Sequence, residues 1–214
     1  MTYLSLEYLV KEPVAYTENT PLILLMHGYG SNKEDLFSFG TELPEQALII
    51  SVQAPTALPF GGFAWYNITF DADENKFSDP EEGKEAVVKL NNFLTELEAN
   101  YKYNTQKVFL VGFSQGAILS YALSLTHPEK IQHVVALSGY FNADFLTEEP
   151  KKVAVDYFIS HGSIDQVIPV DWAKKAPKIL DSLEIKNTYK EYPVGHGVHP
   201  NNFYDFKSWI EERL

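Results

Sequence analysis

Gly112-Phe113-Ser114-Gln115-Gly116 breaks a run of Val108, Phe109, Leu110 and Val111 and leads into Ala117, Ile118, Leu119, Tyr121, Ala122 and Leu123. The first run suits a strand buried on both faces, and the second suits a buried helix. A serine at the tip of so sharp a strand-to-helix turn adopts strained backbone angles. Glycine on either side lets strand and helix pass closely, and the hydroxyl is left exposed. The helix behind it aims backbone N–H groups and its positive end at the point where an oxyanion would form in acyl transfer. Ser114 is therefore the first candidate nucleophile. The plainer alternative is a glycine-rich turn with a bystander serine, so the case turns on partners.

A serine at its ordinary pKa needs a neighbouring base, and that base needs a third group to fix its tautomer. Two segments offer these. His161-Gly162-Ser163-Ile164-Asp165 follows a strand expected over Val153 to Ile159, and Asp165 is the candidate orienting acid. Gly195-His196-Gly197-Val198-His199-Pro200 follows the last expected strand, and His196, free between glycines, is the candidate base. Ser114, Asp165 and His196 occur in the chain order used by enzymes with such an elbow. The rivals have structural readings. His27 and His161 precede glycines at strand ends, where imidazoles bond to loop backbone, and His127 and His133 read as ordinary surface or core residues. His199 immediately precedes Pro200, which suits helix entry. Asp171 falls in a helix and Asp156 in a strand. A metal site from His161, Asp165, His196 and His199 lacks compact ligand spacing.

Met26-His27-Gly28-Tyr29-Gly30 ends the first apolar strand in a small-residue turn, the second source of oxyanion donors. The expected donors are the main-chain amides of Tyr29 and Gln115, since binding developing charge needs no special side chain. Residues 55–70 gather Pro55, Leu58, Pro59, Phe60, Phe63, Trp65 and Tyr66 without helical or strict strand period. The segment is read as the wall of an acyl pocket, with Phe63 and Trp65 as substrate contacts; rings that merely pack the loop onto the sheet are the alternative.

These residues must be held by a scaffold. Apolar strand candidates at Leu22 to Met26, Ala47 to Val52, Val108 to Val111, Val134 to Leu137, Val153 to Ile159 and Thr188 to Tyr192 alternate with helical segments. Met1 to Pro13 alternates apolar and polar residues like a strand. One helix begins after Asp79, with Pro80 at its first position and Glu82 placed for a capping box, and buries Ala86, Leu90, Phe93, Leu94 and Leu97. Another follows Pro200 with a stripe of Phe203, Phe206, Ile210 and Leu214, and Pro177 is expected to kink or end the helix before the last strand. The alternation implies a single α/β domain over residues 1–214, a mostly parallel sheet with helices on both faces and its active site at the strands' carboxyl ends.

Composition narrows the partners. The chain has 214 residues, is 45% hydrophobic, contains no cysteine and carries a net charge of −12. The missing cysteines exclude disulfides, thiolate metal sites and a cysteine nucleophile, and the acidic balance opposes nucleic acid and anionic membrane surfaces. No apolar run approaches a membrane span, and a cytoplasmic setting with no stable membrane insertion is expected. The oligomeric state is open, a homodimer included.

Together, His27-Gly28-Tyr29-Gly30, Ala54-Pro55 with Gly61-Gly62-Phe63-Ala64-Trp65-Tyr66, the Ser114 elbow, His161-Gly162 through Asp165, and Gly195-His196-Gly197 resemble the phospholipase/carboxylesterase family of α/β-hydrolases, which includes the acyl-protein thioesterases. The resemblance spans most of the chain. It implies a triad of Ser114, Asp165 and His196, oxyanion amides at Tyr29 and Gln115, no cofactor and no metal. The implied substrates are small esters or thioesters of short to medium acyl chains, lysophospholipids among them. Ala117, where a second glycine is frequent, and Val198-His199 depart from the family pattern without touching the chemistry. A peptidase or lactone hydrolase with the same triad, or a silent binding protein of the same fold, is the alternative.

Overall fold

The structure is a computed structural model that describes residues 4–70 and 76–214. Among the described residues eleven strands are formed: β1 (Tyr8–Lys11), β2 (Leu22–Met26), β3 (Leu48–Val52), β4 (Thr56–Ala57), β5 (Phe63–Ala64), β6 (Ile68–Phe70), β7 (Lys76–Ser78), β8 (Val108–Phe113), β9 (His133–Leu137), β10 (Asp156–Gly162) and β11 (Asn187–Tyr192). The α-helices are α1 (Glu34–Phe37), α2 (Pro80–Asn100), α3 (Gln115–Thr126), α4 (Val170–Ala173), α5 (Lys175–Ser182) and α6 (Pro200–Glu211).

Seven strands make one sheet in the order β1-β3-β2-β8-β9-β10-β11, parallel throughout except for β1 on β3. Side chains alternate across it. Leu22, Leu24 and Met26 of β2 belong to the core on the face that α2, α3 and α5 cover, whereas Ile23 and Leu25 belong to the core on the face that α1 and α6 cover. A sheet covered on both faces explains why β2, β3 and β8 read as unbroken apolar runs. The chain winds outward from β2 to β3 and then crosses to β8 on the other side of β2. Such a reversal opens a crevice at the strands' carboxyl ends, between the turn after β2 and the turn after β8.

Several boundaries differ from the expectation for physical reasons. The strand expected over Val153 to Ile159 runs instead from Asp156 to Gly162. Asp156 can open it because Lys186 and Arg213 neutralise its carboxylate at 2.6 and 2.9 Å. His161 therefore lies inside the strand, fully buried. Asp79 caps α2 by accepting from the amides of Glu81 and Glu82 at 2.9 and 3.1 Å, but Glu82 does not close a capping box. Its carboxylate accepts from the main-chain and side-chain N–H groups of Asn67 instead, at 2.6 and 2.9 Å, and ties the segment before β6 to the helix. Pro177 falls in the first turn of α5 and does not end it. The interruption comes at Lys174, between α4 and α5, where the proline ring would oppose the carbonyl of Ala173. Of the N-terminal alternating segment only Tyr8–Lys11 pairs, along the sheet edge; its first three residues lie outside the described residues. Among the described residues no helix is long and apolar enough to cross a membrane.

Candidate active site

Ser114 sits between β8 and α3 with φ 53° and ψ −114°, a left-handed backbone for a residue with a side chain. Strain of this kind costs about 1–3 kcal/mol and persists only when the surroundings enforce it. They do so here by contact. A Cβ on Gly112 would lie 2.3 Å from the carbonyl oxygen of Gly116, and one on Gly116 would lie 2.1 Å from that of Met26. The Ser114 amide donates to Leu137 O at 2.9 Å, anchoring the turn to β9.

The loop after β11 brings the His196 ring to this serine, with Nε2 3.0 Å from Ser114 Oγ and Nδ1 2.7 Å from Asp165 Oδ2. A carboxylate can only accept, so Nδ1 carries the proton and Nε2 is free to accept from the serine hydroxyl. Asp165 Oδ1 accepts from the amides of Val167 and Ile168 at 2.8 and 3.0 Å. Burial pushes this carboxyl up, but the bonds from His196 and the two amides outweigh that and hold it below its ordinary value. It is thus a fixed anion beside the imidazole. Phe113 packs on the other side of the His196 ring at 5.0 Å.

The amides of Tyr29 and Gln115 donate to no protein acceptor among the described residues. One belongs to the turn after β2 and the other opens α3, so both border the crevice. The Tyr29 turn is pinned from two sides. His27, buried, donates from Nδ1 to Gly28 O at 2.7 Å and accepts at Nε2 from the Ala54 amide at 3.0 Å. Gly30 N donates to Phe63 O at 2.9 Å and Phe63 N to Ser31 O at 2.7 Å. Gly62 makes this strap possible: at φ +75° a Cβ there would overlap Gly30 O.

Residues 55–70 are not an irregular wall. β4 and β5 pair antiparallel, and β6 pairs with β7. Trp65 and Phe63, expected to touch substrate, do not line the cleft at Ser114; this corrects the expectation. Trp65 is only 3% exposed, with its indole N–H donating to His27 O at 2.9 Å and its ring against His27. Phe63 braces the Tyr29 turn through its backbone. Aromatic composition signalled burial, and the rings met the sheet rather than the cleft. Among the described residues the cleft, about 140 Å³, is lined by Tyr29, Tyr66, Ile68, Ser78, Ser114, Gln115, Ile118, Tyr140, Val167, Ile168 and His196.

One site-building contact carried no sequence signal. The Gln115 side chain accepts from Trp65 N at 3.1 Å and donates to Tyr66 O at 2.8 Å, clamping the wall to the elbow. His161 Nε2 lies 2.8 Å from Ile168 O and 3.2 Å from Asp165 Oδ2, beneath the carboxylate. His199 stays away from the serine: it caps α6, accepting from the Asn201 amide at 3.1 Å, with its ring stacked on Tyr192. Of the four residues weighed as a metal site, His161 and His196 meet at Asp165 and His199 stands apart.

The profile of the phospholipase/carboxylesterase family matches residues 13–214. Acyl-protein thioesterase 1 of Yarrowia lipolytica is 27% identical over 94% of this chain and 95% of its own length. Acyl-protein thioesterase 1 of Saccharomyces cerevisiae is 33% identical over 64% of this chain and 65% of its own length. Among solved structures, the crystal structure of esterase PE8 superposes with a TM-score of 0.87 at 25% identity, covering 98% of this chain and 99% of that one.

Proposed function

The chain belongs to the phospholipase/carboxylesterase family, whose members are hydrolases of carboxylic esters and thioesters, and from that premise we propose that it hydrolyses short acyl esters or thioesters through an acyl-enzyme on Ser114. The observation that carries this reading is the line of contacts from Ser114 Oγ to His196 at 3.0 Å and from His196 to Asp165 at 2.7 Å, beside two main-chain donors left without protein acceptors.

His196 Nε2 takes the hydroxyl proton as Ser114 Oγ bonds to the acyl carbon, and the carbonyl oxygen becomes an oxyanion. The amides of Tyr29 and Gln115 hold that oxyanion better than they hold the ground-state carbonyl, and the α3 N-terminus adds its positive end. Asp165 keeps the imidazole in its working tautomer and stabilises its charge. The imidazolium then protonates the leaving alcohol or thiol as its bond to carbon breaks. In the second half His196 takes a proton from water, hydroxide adds to the acyl carbon, and Ser114 leaves with the proton returned.

The cleft limits the acyl group. It is small beside the roughly 300–1,000 Å³ of ordinary ligand pockets, so chains of a few atoms fit this reading better than long ones. The test compares wild type with Ser114→Ala on acetyl and butanoyl esters and thioesters. Loss of about a thousandfold or more with an unchanged fold is expected. A variant retaining a tenth of the activity would reject Ser114 as the nucleophile.

A further inference from the structure

The cleft beside Ser114 is not uniformly apolar. Ile68, Ile118, Val167 and Ile168 line it, but so do three hydroxyl-bearing residues from three separate elements: Tyr66 after β5, Ser78 at the end of β7 and Tyr140 after β9. Ser78 Oγ and Tyr140 Oη are 3.4 Å apart, at the far limit of a hydrogen bond. Tyr66 is 1% exposed, and among the described residues its hydroxyl makes no hydrogen bond of good geometry, the Ser78 hydroxyl lying close enough only for a weak one. Burial pushes the Tyr66 phenol well up, with the Tyr140 phenol adding to this and the Ser78 hydroxyl opposing it, so the three groups share one neighbourhood and Tyr66 remains a protonated donor.

None of these rings is free to turn away. Tyr66 stands edge-on to Phe145 at 4.8 Å and its carbonyl accepts from Gln115 Nε2, while Tyr140 stands edge-on to Trp172 at 5.3 Å. A buried hydroxyl without a good partner lowers stability, and beside a cleft a bound molecule can supply the missing bond. A plain hydrocarbon tail would leave Tyr66 without a good partner and strip water from Ser78 and Tyr140. A tail carrying an oxygen would satisfy them.

We propose that the hydroxyls of Tyr66, Ser78 and Tyr140 form a subsite for an oxygen carried by the acyl group a few atoms beyond the scissile carbonyl. The preferred substrates are then esters or thioesters of short ether- or hydroxyl-bearing acids rather than of plain fatty acids. This rests on the acyl-enzyme reading above and narrows its substrate class.

The test walks an ether oxygen along the acyl chain. Methoxyacetyl, methoxypropanoyl and methoxybutanoyl esters are compared with butanoyl, pentanoyl and hexanoyl esters, each kcat/KM being divided by the ester's rate with hydroxide. In wild type one ether member should exceed its hydrocarbon counterpart by about tenfold, the scale of one added hydrogen bond. Tyr66→Phe should erase that ratio without lowering the melting temperature, because it removes a poorly paired buried hydroxyl; Tyr140→Phe should reduce it. Plain-chain hydrolysis with no ether gain, or a gain that survives Tyr66→Phe, overturns the subsite alone. No hydrolysis of any ester by the folded chain overturns the acyl-enzyme reading with it.

Discussion

The two sides of the cleft are built by different means. The Ser114 side is set by backbone: a left-handed serine, glycines where a Cβ would overlap a carbonyl, and loops held by main-chain bonds to Leu137 and Phe63. The opposite wall, with Tyr66, Ile68, Ser78 and Tyr140, is held by side-chain bonds, the Gln115 and Glu82 clamps. Geometry that reacting atoms require is over-determined by sterics, whereas the surface that selects a substrate needs only shape and a few polar groups. Changes on the first side should therefore remove turnover and spare the fold; changes on the second should redistribute stability and preference.

The largest effect should come from His196→Ala, with activity down about a thousandfold or more on every ester and the melting temperature close to wild type. A variant with a tenth of wild-type turnover would break the comparison on its catalytic side. Trp65→Ala comes next. Removing a large buried ring costs about 3–5 kcal/mol, so the denaturant midpoint should fall and activity should drop alike on acetyl, butanoyl and hexanoyl esters. A selective loss on the longer chains would return Trp65 to the acyl pocket.

The contrast also explains what was legible in the sequence. The elbow, the apolar strands and the histidine loop had local signatures because each demands residue types at fixed spacing: glycines around Ser114 and His196, apolar runs in β2, β3 and β8. The start of β10 was misread because Val153 looks more strand-like than Asp156, and the ion pairs that let Asp156 open the strand come from residues 30 and 57 positions away. Trp65 and Phe63 were misassigned because aromatic content reports burial without direction. Gln115 was noted for its amide while its side-chain clamp, reaching 49 and 50 positions back, had no local signature.

A smaller effect separates the two histidines of the last loop. His199→Ala loses a helix cap, worth about 1 kcal/mol, and should keep activity within about tenfold, as measured by thermal melting and ester turnover side by side. Inactivity there with activity retained in His196→Ala would reverse their roles.

The smallest effect lies at the opposite ends of the strands. His133 opens β9, stacked on Phe109 at 4.4 Å and edge-on to Trp209. Burial pushes its imidazole down to about 4; Asp156 opposes the shift, and Arg213, Lys186 and Lys107 add to it. An unfolded chain takes up that proton near pH 6.5 and the folded chain only near 4, so the unfolded state binds more protons in between. Stability should fall as pH drops through that window. His133→Gln should lose less melting temperature than wild type between pH 7 and pH 5, with turnover at pH 7 unaltered; parallel loss in both proteins would dismiss His133 as the source.

The central claim is that one serine, activated by one histidine, carries the reaction. Reaction with a fluorophosphonate, followed by mass mapping of the adduct, tests it most directly, since the reagent bonds to an activated serine oxygen with loss of fluoride. A single adduct on Ser114, formed much more slowly in His196→Ala, is the expected result. An adduct on another serine, or a folded chain that stays unmodified, would contradict the account.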